Sequence, residues 1–457
     1  MADYTISDLE YYNRRIEEAA AEFGLDCYPQ EFEICNYEDM LSYEAYSGMP
    51  SRYPHWSFGK AWERKKTYYR YNLVGLPYEM VINSNPCLAY LMKENSLLLQ
   101  VLTIAHVYGH NDFFKNNRLF KDGTRADYTT EMFKSHANRL REYIADPSIG
   151  YNRVERVLDA AHALRFQVHR ITNEKHLPPD ELRKRMMASY YNSQPAGPGP
   201  AAKKEVPDWN QIPLEPDEDI LLFLMRYARL TDWEKDIINI VREETRYFIP
   251  QIETKIMNEG WASFWHYRIL NHLQLPQEMH LEFIKRHNQV VCAHEGGLNP
   301  YHLGFEMWRK LERESNDRHR IFTIREQERD VSFIRRYLDE ELCRELNLFQ
   351  YRQTGTNYLV TEVSDQPGWK NIRDTLVANA GMNGVPVIKV IDIGTGNVLD
   401  LAQEQDGREL LLKYAHETLK YIASLWGHKV RLHLKVNGSY QNIVCDHQDI
   451  YVTNSPS

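Results

Sequence analysis

The sequence predicts a mainly helical protein in which a large helical domain is followed by a small α/β domain. From Ser7 to about Leu346, apolar residues recur mostly every three or four positions, which is typical of amphipathic helices. After Phe349 the spacing changes to about two positions, which is typical of strands. The chain has 457 residues, and single hydrophobic cores stop growing at about 250–300 residues. We therefore expect more than one domain.

The change of spacing places the domain boundary after residue 349. We expect a helical core domain over 1–349 and a small α/β domain over 350–457. In the first domain, residues 193–216 contain six prolines and two glycines, a composition that favours an exposed loop. In the second, Val430–Val436 alternates apolar and polar residues, as an antiparallel strand with one solvated face does. Gly394-Thr395-Gly396 joins two strand-like segments and is expected to form a hairpin turn.

Charge and composition exclude several classes of function. The net charge is −9, and no dense block of Lys and Arg stands alone, which disfavours nucleic acid and anionic lipid as partners. The six cysteines form no C-x-x-C pair and indicate reduced thiols. The N-terminus lacks the pattern of a signal peptide, and no apolar run reaches about 18 residues. We therefore expect a cytoplasmic protein without a membrane span.

A strand followed by a helix with two histidines resembles the core of zinc peptidases. Leu73–Asn83 has strand character, and the apolar region from Leu88 to about Phe114 is expected to be one long helix. This helix carries His106 and His110, the histidines of an H-E-x-x-H pattern, but Val107 replaces the general-base Glu. The helical domain is therefore predicted to contain a small zincin-like strand element without the usual means of water activation.

Three side chains are predicted to bind one divalent metal ion. His106 and His110 lie four apart on a helix, so both imidazoles face the same side. Glu259, on a distant helical segment, can complete the site as a third ligand, as in thermolysin-like enzymes. His266 lies seven residues further on the same helical face, and we predict that either His266 or a carboxylate that the sequence does not identify handles protons. Zinc is the expected ion, with iron or manganese as alternatives.

The same residues also allow a purely structural interpretation. In that case the two histidines are satisfied by neighbouring Tyr and carboxylate groups, and Glu259 pairs with an Arg or Lys inside a helical bundle. A further pair, Asp159 and His162, lies three apart on a predicted helix, which is the ligand spacing of dinuclear sites in helical bundles. Glu155 and His169 extend that face. This pair forms either a second metal site or a buried polar network.

One aromatic segment is a candidate for lining a cleft. The region from Tyr43 to Gly59 is rich in Tyr, Pro, Gly and His and is predicted to be an ordered loop. His55 and Trp56 in this loop, with the adjacent Lys60, are predicted to line a ligand cleft. An aromatic plug held by turn residues is the alternative.

Five long segments of the chain have distinctive sequences. They are YPHWSFGK (53–60), HVYGHNDFFKNN (106–117), LDAAHAL (158–164), MNEGWASFWHYRI (257–269) and NPYHLGFEMW (299–308). These segments resemble those of a known family, the stage V sporulation protein R family. The match extends through most of the chain, and segments this long are specific. The resemblance implies a bacterial cytoplasmic protein that takes part in spore cortex formation, and hence in the morphogenesis of the peptidoglycan cell wall.

The resemblance also implies protein partners. Family members in bacteria that form no endospores are usually encoded with an AAA-type serine protein kinase and a von Willebrand A protein. The resemblance implies no enzymatic activity for this chain, because no activity is well established for the family. Three functions therefore stay open: a sporulation factor that acts through partners, a metal-dependent hydrolase or oxidoreductase (zincin-like, or a dinuclear-metal helical-bundle enzyme), and a degenerate zincin. The last keeps the cleft without catalysis, reconciles the other two, and is the hypothesis we favour.

Overall fold

A computed structural model describes residues 4–70, 79–170, 177–192, 208–209, 211–293, 297–317, 319–354 and 357–454. Within these ranges the protein has 18 α-helices, ten β-strands and two short 3₁₀ helices, Ala126–Tyr128 and Gly381–Gly384. The predictions of a mainly helical fold and of a sheet domain near the C-terminus are both confirmed. None of the described helices combines the length and the apolar composition that crossing a membrane requires.

The helices vary from one and a half to six turns in length. The first six are α1 (Ile6–Phe23), α2 (Tyr37–Ala45), α3 (Trp56–Arg70), α4 (Leu97–Asn116), α5 (Arg118–Gly123) and α6 (Thr129–Ala145). The next six are α7 (Tyr151–Leu164), α8 (Pro179–Asn192), α9 (Ile220–Tyr227), α10 (Asp232–Glu253), α11 (Lys255–His272) and α12 (Gln277–Val290). The last six are α13 (Pro300–Glu314), α14 (His319–Gln327), α15 (Asp330–Tyr337), α16 (Glu340–Glu345), α17 (Gly368–Asn379) and α18 (Leu412–Trp426).

The chain divides into two compact units, each made of two separate segments. Unit 1 comprises Met1–Glu142 and Arg246–Gly384, and unit 2 comprises Tyr143–Thr245 and Val385–Ser457. The two units are defined by contacts between residues and do not test the predicted domains at 1–349 and 350–457, which stay a prediction. Of the predicted loop at 193–216, residues 193–207 and 210 lie outside the described residues. The remainder up to Pro216 forms neither helix nor strand.

A small mixed sheet in unit 1 precedes the helix that carries the paired histidines. Its strands are β1 (Gln30–Cys35), β2 (Glu79–Ile82) and β3 (Cys87–Met92), in the order β1-β3-β2. Strand β3 is parallel to β1 and antiparallel to β2. The strand predicted at 73–83 is present from Glu79, while 71–78 lies outside the described residues. The likeness of this sheet to a zincin element stays a prediction.

The predicted long helix starting at Leu88 is wrong at its N-terminal end. Residues up to Met92 form the buried strand β3, and helix α4 begins at Leu97, where the Ser96 side chain accepts a hydrogen bond from the Leu99 amide. A short apolar run is compatible with either a buried strand or a buried helix, which explains the error. Helix α4 itself is buried on nearly all sides, so it forms the centre of the core of unit 1.

The remaining strands lie in the last quarter of the chain. In unit 1, β4 (Phe349–Thr354) and β5 (Asn357–Val363) form an antiparallel pair. In unit 2, β6 (Ile388–Gly394), β7 (Val398–Gln403), β8 (Val430–Val436), β9 (Ser439–Asp446) and β10 (Asp449–Asn454) form a sheet in the order β10-β9-β8-β7-β6. The predicted strand 430–436 and the hairpin turn after Gly394 are confirmed, the latter by the Gly394–Val398 pairing.

Candidate metal site

Three side chains from two helices converge on one point in unit 1. His106 and His110 lie one turn apart on α4, and Glu259 lies on the neighbouring α11. The Oε2 atom of Glu259 is 3.7 Å from His106 Nε2 and 3.5 Å from His110 Nε2. One donor atom from each residue lies within 4.8 Å of the other two. Among the described residues, this is the only group of three or more His, Cys, Asp or Glu with such an arrangement.

The other ring nitrogen of each histidine is held away from Glu259. Nδ1 of His110 lies 2.9 Å from the amide oxygen of Asn258, which can only accept a hydrogen bond. That nitrogen therefore carries a proton. In neutral His110 the lone pair is then on Nε2, facing Glu259, which is the form that can bind a metal ion. Nδ1 of His106 lies 2.9 Å from Nδ1 of His266. Such outer hydrogen bonds are what orient histidines that bind metals.

His266 contacts the ring nitrogen of His106 that is turned away from Glu259, and it lies deeper in the core than His106. It is completely buried, and its Nε2 atom lies 2.8 Å from Nδ1 of His287 on α12. Burial, together with the neighbouring His106 and His287, lowers the pKa of His266 well below its usual value. Burial and the charge of Arg309 lower the pKa of His287 to about 4. Both imidazoles are therefore neutral at pH 7.

Glu259 connects this buried group to solvent. Its side chain is 21% exposed, whereas those of His106 and His110 are almost fully buried. Burial by itself would raise the pKa of Glu259, but hydrogen bonds and positive charge from His106 and His110, when these imidazoles carry protons on Nε2, lower that pKa further, so that the group is ionised. The Oε2 atom is buried and has no hydrogen-bond donor in suitable geometry. A buried charged oxygen needs a compensating cation, and a metal ion can supply that charge.

Close backbone contacts fix the two helices that carry the ligands. A Cβ atom on Gly109, between the two histidines, would lie 2.6 Å from Ala262 Cα on α11. A Cβ atom on Gly260, next to Glu259, would lie 2.3 Å from the carbonyl carbon of Gly304 on α13. Real Cβ atoms do not approach other atoms so closely, so only glycine fits at these positions. The three helices are therefore packed backbone to backbone beside the ligands.

A buried carboxylate also joins α4 to α11. Asp112, two residues after His110, accepts hydrogen bonds from the Trp261 indole and the Asp26 amide, each at 2.8 Å. The guanidinium group of Arg325 lies 3.4 Å away and compensates its charge. Burial raises the pKa of Asp112 to about 6, although Arg325 lowers it. The role of Asp112 was not predicted, although an acidic residue within a strongly apolar helical segment is a signal that could have identified it.

The predicted cleft-lining residues lie at the start of helix α3. The loop predicted over 43–59 is wrong at both ends, because α2 extends to Ala45 and α3 begins at Trp56, two residues after the helix-breaking Pro54. Trp56 is 51% exposed, and the Lys60 ammonium lies 5.8 Å from its ring centre, as expected for residues four apart on a helix surface. His55 is buried, with Nδ1 2.6 Å from the Ser57 hydroxyl. Their role in a cleft stays a prediction.

The Asp159 and His162 pair lies on α7 in unit 2, and the three-ligand group in unit 1 includes neither residue. The expected extension of their helical face to His169 is wrong, because α7 ends at Leu164. Nδ1 of His169 instead lies 3.7 Å from the Glu218 carboxylate. A second metal site at Asp159 and His162 stays a prediction.

Fold and site together define a class of protein: mainly helical, with two histidines and one glutamate converging between tightly packed helices. The model of the family described as "SpoVR like protein" matches residues 3–385, and that of the "SpoVR-like C-terminal domain" matches residues 386–436. The chain therefore belongs to the SpoVR-like family, as the resemblance predicted.

One curated relative extends over almost the whole chain. It is the "Uncharacterized protein YcgB" of Escherichia coli (strain K12), which is 34% identical to this chain. The similarity covers 94% of this chain and 92% of the relative. No solved structure matches this chain.

Proposed function

We propose that this protein binds one divalent metal ion through Nε2 of His106, Nε2 of His110 and the carboxylate of Glu259. The observation that supports it is the convergence of these three donor atoms within 4.8 Å. Two histidines and a glutamate form a known zinc ligand set, so zinc is the expected ion. Iron and manganese accept the same donors and are the alternatives.

The favoured role is a metal-binding cleft without zincin-type catalysis. His106, His110 and Glu259 would hold the ion with three protein ligands, which is the number that leaves room for water or another molecule in catalytic zinc sites, and the Glu259 side chain is partly exposed. A bound zinc ion would supply Lewis-acid polarisation there. Val107 occupies the position of the general base and is completely buried in the core. The residue that takes the proton from water in H-E-x-x-H enzymes is therefore replaced by an apolar side chain.

Membership of the SpoVR-like family supports a sporulation-associated role. We extend this to a cytoplasmic factor in spore cortex formation and cell-wall morphogenesis that acts through protein partners. The partners implied by the resemblance are an AAA-type serine protein kinase and a von Willebrand A protein. Co-purification of the tagged chain with either partner would support this part. Absence of binding between the purified proteins, with metal present and removed, would contradict it.

Elemental analysis of the purified full chain tests the metal site. We expect about one equivalent of zinc, iron or manganese in the wild type and none in the His106→Ala/His110→Ala double variant. His272→Ala, a histidine on the same helix α11 but outside the group, is the matched control and should retain the ion. Glu259→Gln removes the charge at almost constant size and should lower the metal content. Wild-type protein that stays metal-free after incubation with each ion would refute the site.

Two equivalents of metal per chain would instead support the dinuclear alternative with Asp159 and His162.

A single-metal hydrolase is the second candidate function, and the partial exposure of Glu259 favours it, because a substrate needs access to the ion. Incubation of the zinc-loaded protein with peptidoglycan fragments, followed by mass spectrometry, distinguishes the two roles. Cleavage that disappears in Glu259→Gln would support hydrolysis, and intact fragments would support the non-catalytic cleft.

A further inference from the structure

Three histidines form a continuous chain of hydrogen bonds that leads from the metal site into the core. Nδ1 of His106 faces Nδ1 of His266, and Nε2 of His266 faces Nδ1 of His287, at 2.9 and 2.8 Å. His266 and His287 are both buried, at 0% and 3% exposure. Each contact joins two ring nitrogens, so each needs one nitrogen with a proton and one without.

The protons in this chain can be arranged in only two directions when all three rings are neutral. In the first, His106 donates from Nδ1 to His266, and His266 donates from Nε2 to His287. The lone pair of His106 is then on Nε2, facing Glu259. In the second, both bonds are reversed, and Nε2 of His106 carries the proton that excludes a metal ion. The state of the ligand therefore depends on the two histidines behind it.

The other ligand is fixed in a different way. His110 donates to the amide oxygen of Asn258, an acceptor that has no proton of its own to offer from that atom. Its metal-binding tautomer is therefore set by a single contact. His106 has no such fixed acceptor in His266, because an imidazole nitrogen can either donate or accept. His287, which packs among Tyr267, Phe283 and Phe305, is the last ring of this chain. The first direction, in which His287 accepts, is the one that leaves a lone pair on His106 Nε2 for an ion.

We propose that His266 and His287 are positioning residues that hold His106 in its metal-binding tautomer. The inference rests on the proposed metal site and assigns a role to two residues that lie outside the ligand set. For His266 we thus propose an orienting role in place of the proton handling predicted from the sequence, because His266 is enclosed in the core.

The test compares metal affinities of folded variants, not activity. His266→Phe keeps the ring volume but removes the acceptor, and loss of such an outer partner lowers metal affinity by about 10–100-fold. His266→Gln should restore most of the affinity. Its amide oxygen can accept from His106 while its amide nitrogen donates to His287, which reproduces the metal-binding direction. Zinc affinity is measured by chelator competition, and the visible spectrum of the Co²⁺-loaded protein reports the ligand geometry.

The outcomes separate this inference from the proposed function. If the wild type binds no metal, the metal site itself is refuted. If the wild type binds zinc and His266→Phe binds it equally well, only the positioning role is overturned. Thermal denaturation of the metal-free proteins shows which variants fold. Should His266→Phe fail to fold, His287→Phe takes its place, since it removes the acceptor one ring further in, and wild-type affinity there would overturn the role too.

Discussion

Two groups of residues in this protein each combine histidine with a carboxylate and an amide. We call His433, Asp400 and Asn442 the unit 2 cluster and His106, His110, Glu259 and Asn258 the unit 1 cluster, and they differ in where the ring nitrogens point. On the sheet of unit 2, His433 places Nδ1 2.7 Å from Asn442 Oδ1 and Nε2 3.1 Å from Asp400 Oδ1. Both of its nitrogens thus end on oxygen atoms. In unit 1, His106 and His110 direct their Nε2 atoms at the same carboxylate oxygen, at 3.5–3.7 Å.

The comparison shows what distinguishes a candidate metal site from a closed polar network. An imidazole with an oxygen atom close to each nitrogen has both nitrogens occupied by its own neighbours, and neither is directed at a point that a second ligand shares. Two imidazoles that share one charged oxygen at distances near the limit of hydrogen bonding leave space for a cation between them. The convergence of the nitrogens, more than the presence of histidine, marks the site.

The largest expected difference between the clusters is in metal affinity. His110→Ala removes a ligand and should lower zinc affinity by more than about 100-fold, because even loss of an outer hydrogen-bond partner typically costs about 10–100-fold. His433→Ala should leave zinc affinity unchanged. Chelator competition on both variants measures the difference. An equal loss of zinc affinity in His110→Ala and His433→Ala would contradict the view that only the group with His106, His110 and Glu259 binds the ion.

The second prediction concerns the close packing of helices α11 and α13 beside Glu259. Gly260→Ala places a Cβ atom 2.3 Å from the backbone of Gly304, and such overpacking costs about 1–3 kcal/mol or more. It should also lower zinc affinity, because Glu259 is the adjacent residue. Gly59→Ala is the control, since its Cβ on exposed helix α3 would meet nothing within 4 Å. That variant should gain up to about 1 kcal/mol. Denaturant unfolding measures both, and a harmless Gly260→Ala would contradict the close approach.

The third prediction uses the residue that anchors the start of α11. Asp330 accepts hydrogen bonds from the Ile256 and Met257 amides, and burial raises its pKa to about 7 although these bonds lower it. The folded state therefore holds the proton more tightly than the unfolded state, whose pKa is near 3.8. Stability from this group is fully present below about pH 4 and is lost as the pH rises through about 7.

The measurement for Asp330 is urea unfolding of the metal-free protein between pH 4 and pH 8. The stability advantage of the wild type over Asp330→Asn should decrease by about 1–3 kcal/mol across that window. A difference that stays constant with pH would show that the buried carboxyl group does not titrate in this range.

The smallest expected effect compares the same amide–imidazole contact in the two clusters. Asn258 and Asn442 each accept from Nδ1 of a histidine, at 2.9 and 2.7 Å. Asn258→Ala should lower zinc affinity about tenfold, because His110 loses the partner that fixes its tautomer. Asn442→Ala should not change zinc affinity. Isothermal titration with zinc checks both, and an unaffected Asn258→Ala would show that His110 is oriented by packing alone.

The part of the site that depends on local geometry was predictable from the sequence. Residues four apart share a helix face, so His106 and His110 had to lie together once α4 formed. Glu259 was predicted from its chemistry, because a carboxylate within an aromatic helical segment needs a cationic partner. In the fold, the clean alternation of Val430–Val436 specified strand β8 for the same local reason.

The remainder depends on contacts that spacing does not record. Asn258 reaches His110 across 148 residues of sequence, and His287 joins His266 from a different helix. The apolar run from Leu88 to Met92 fits strand and helix equally well, and only its pairing with β1 and β2 decides between them. These interactions join residues that are far apart in sequence, so they can be identified only from the three-dimensional structure.

The discontinuous build of unit 1 has a consequence for its synthesis. Helix α4 is largely apolar and is buried on nearly all sides, yet α11 and α13, which cover it, are translated much later. The end of α11 follows that of α4 by roughly 150 residues, so at about 5–20 residues per second the ribosome needs roughly eight to thirty seconds to supply it. During that interval the nascent chain presents an uncovered apolar helix, which makes it a substrate for chaperones before the ligands can meet.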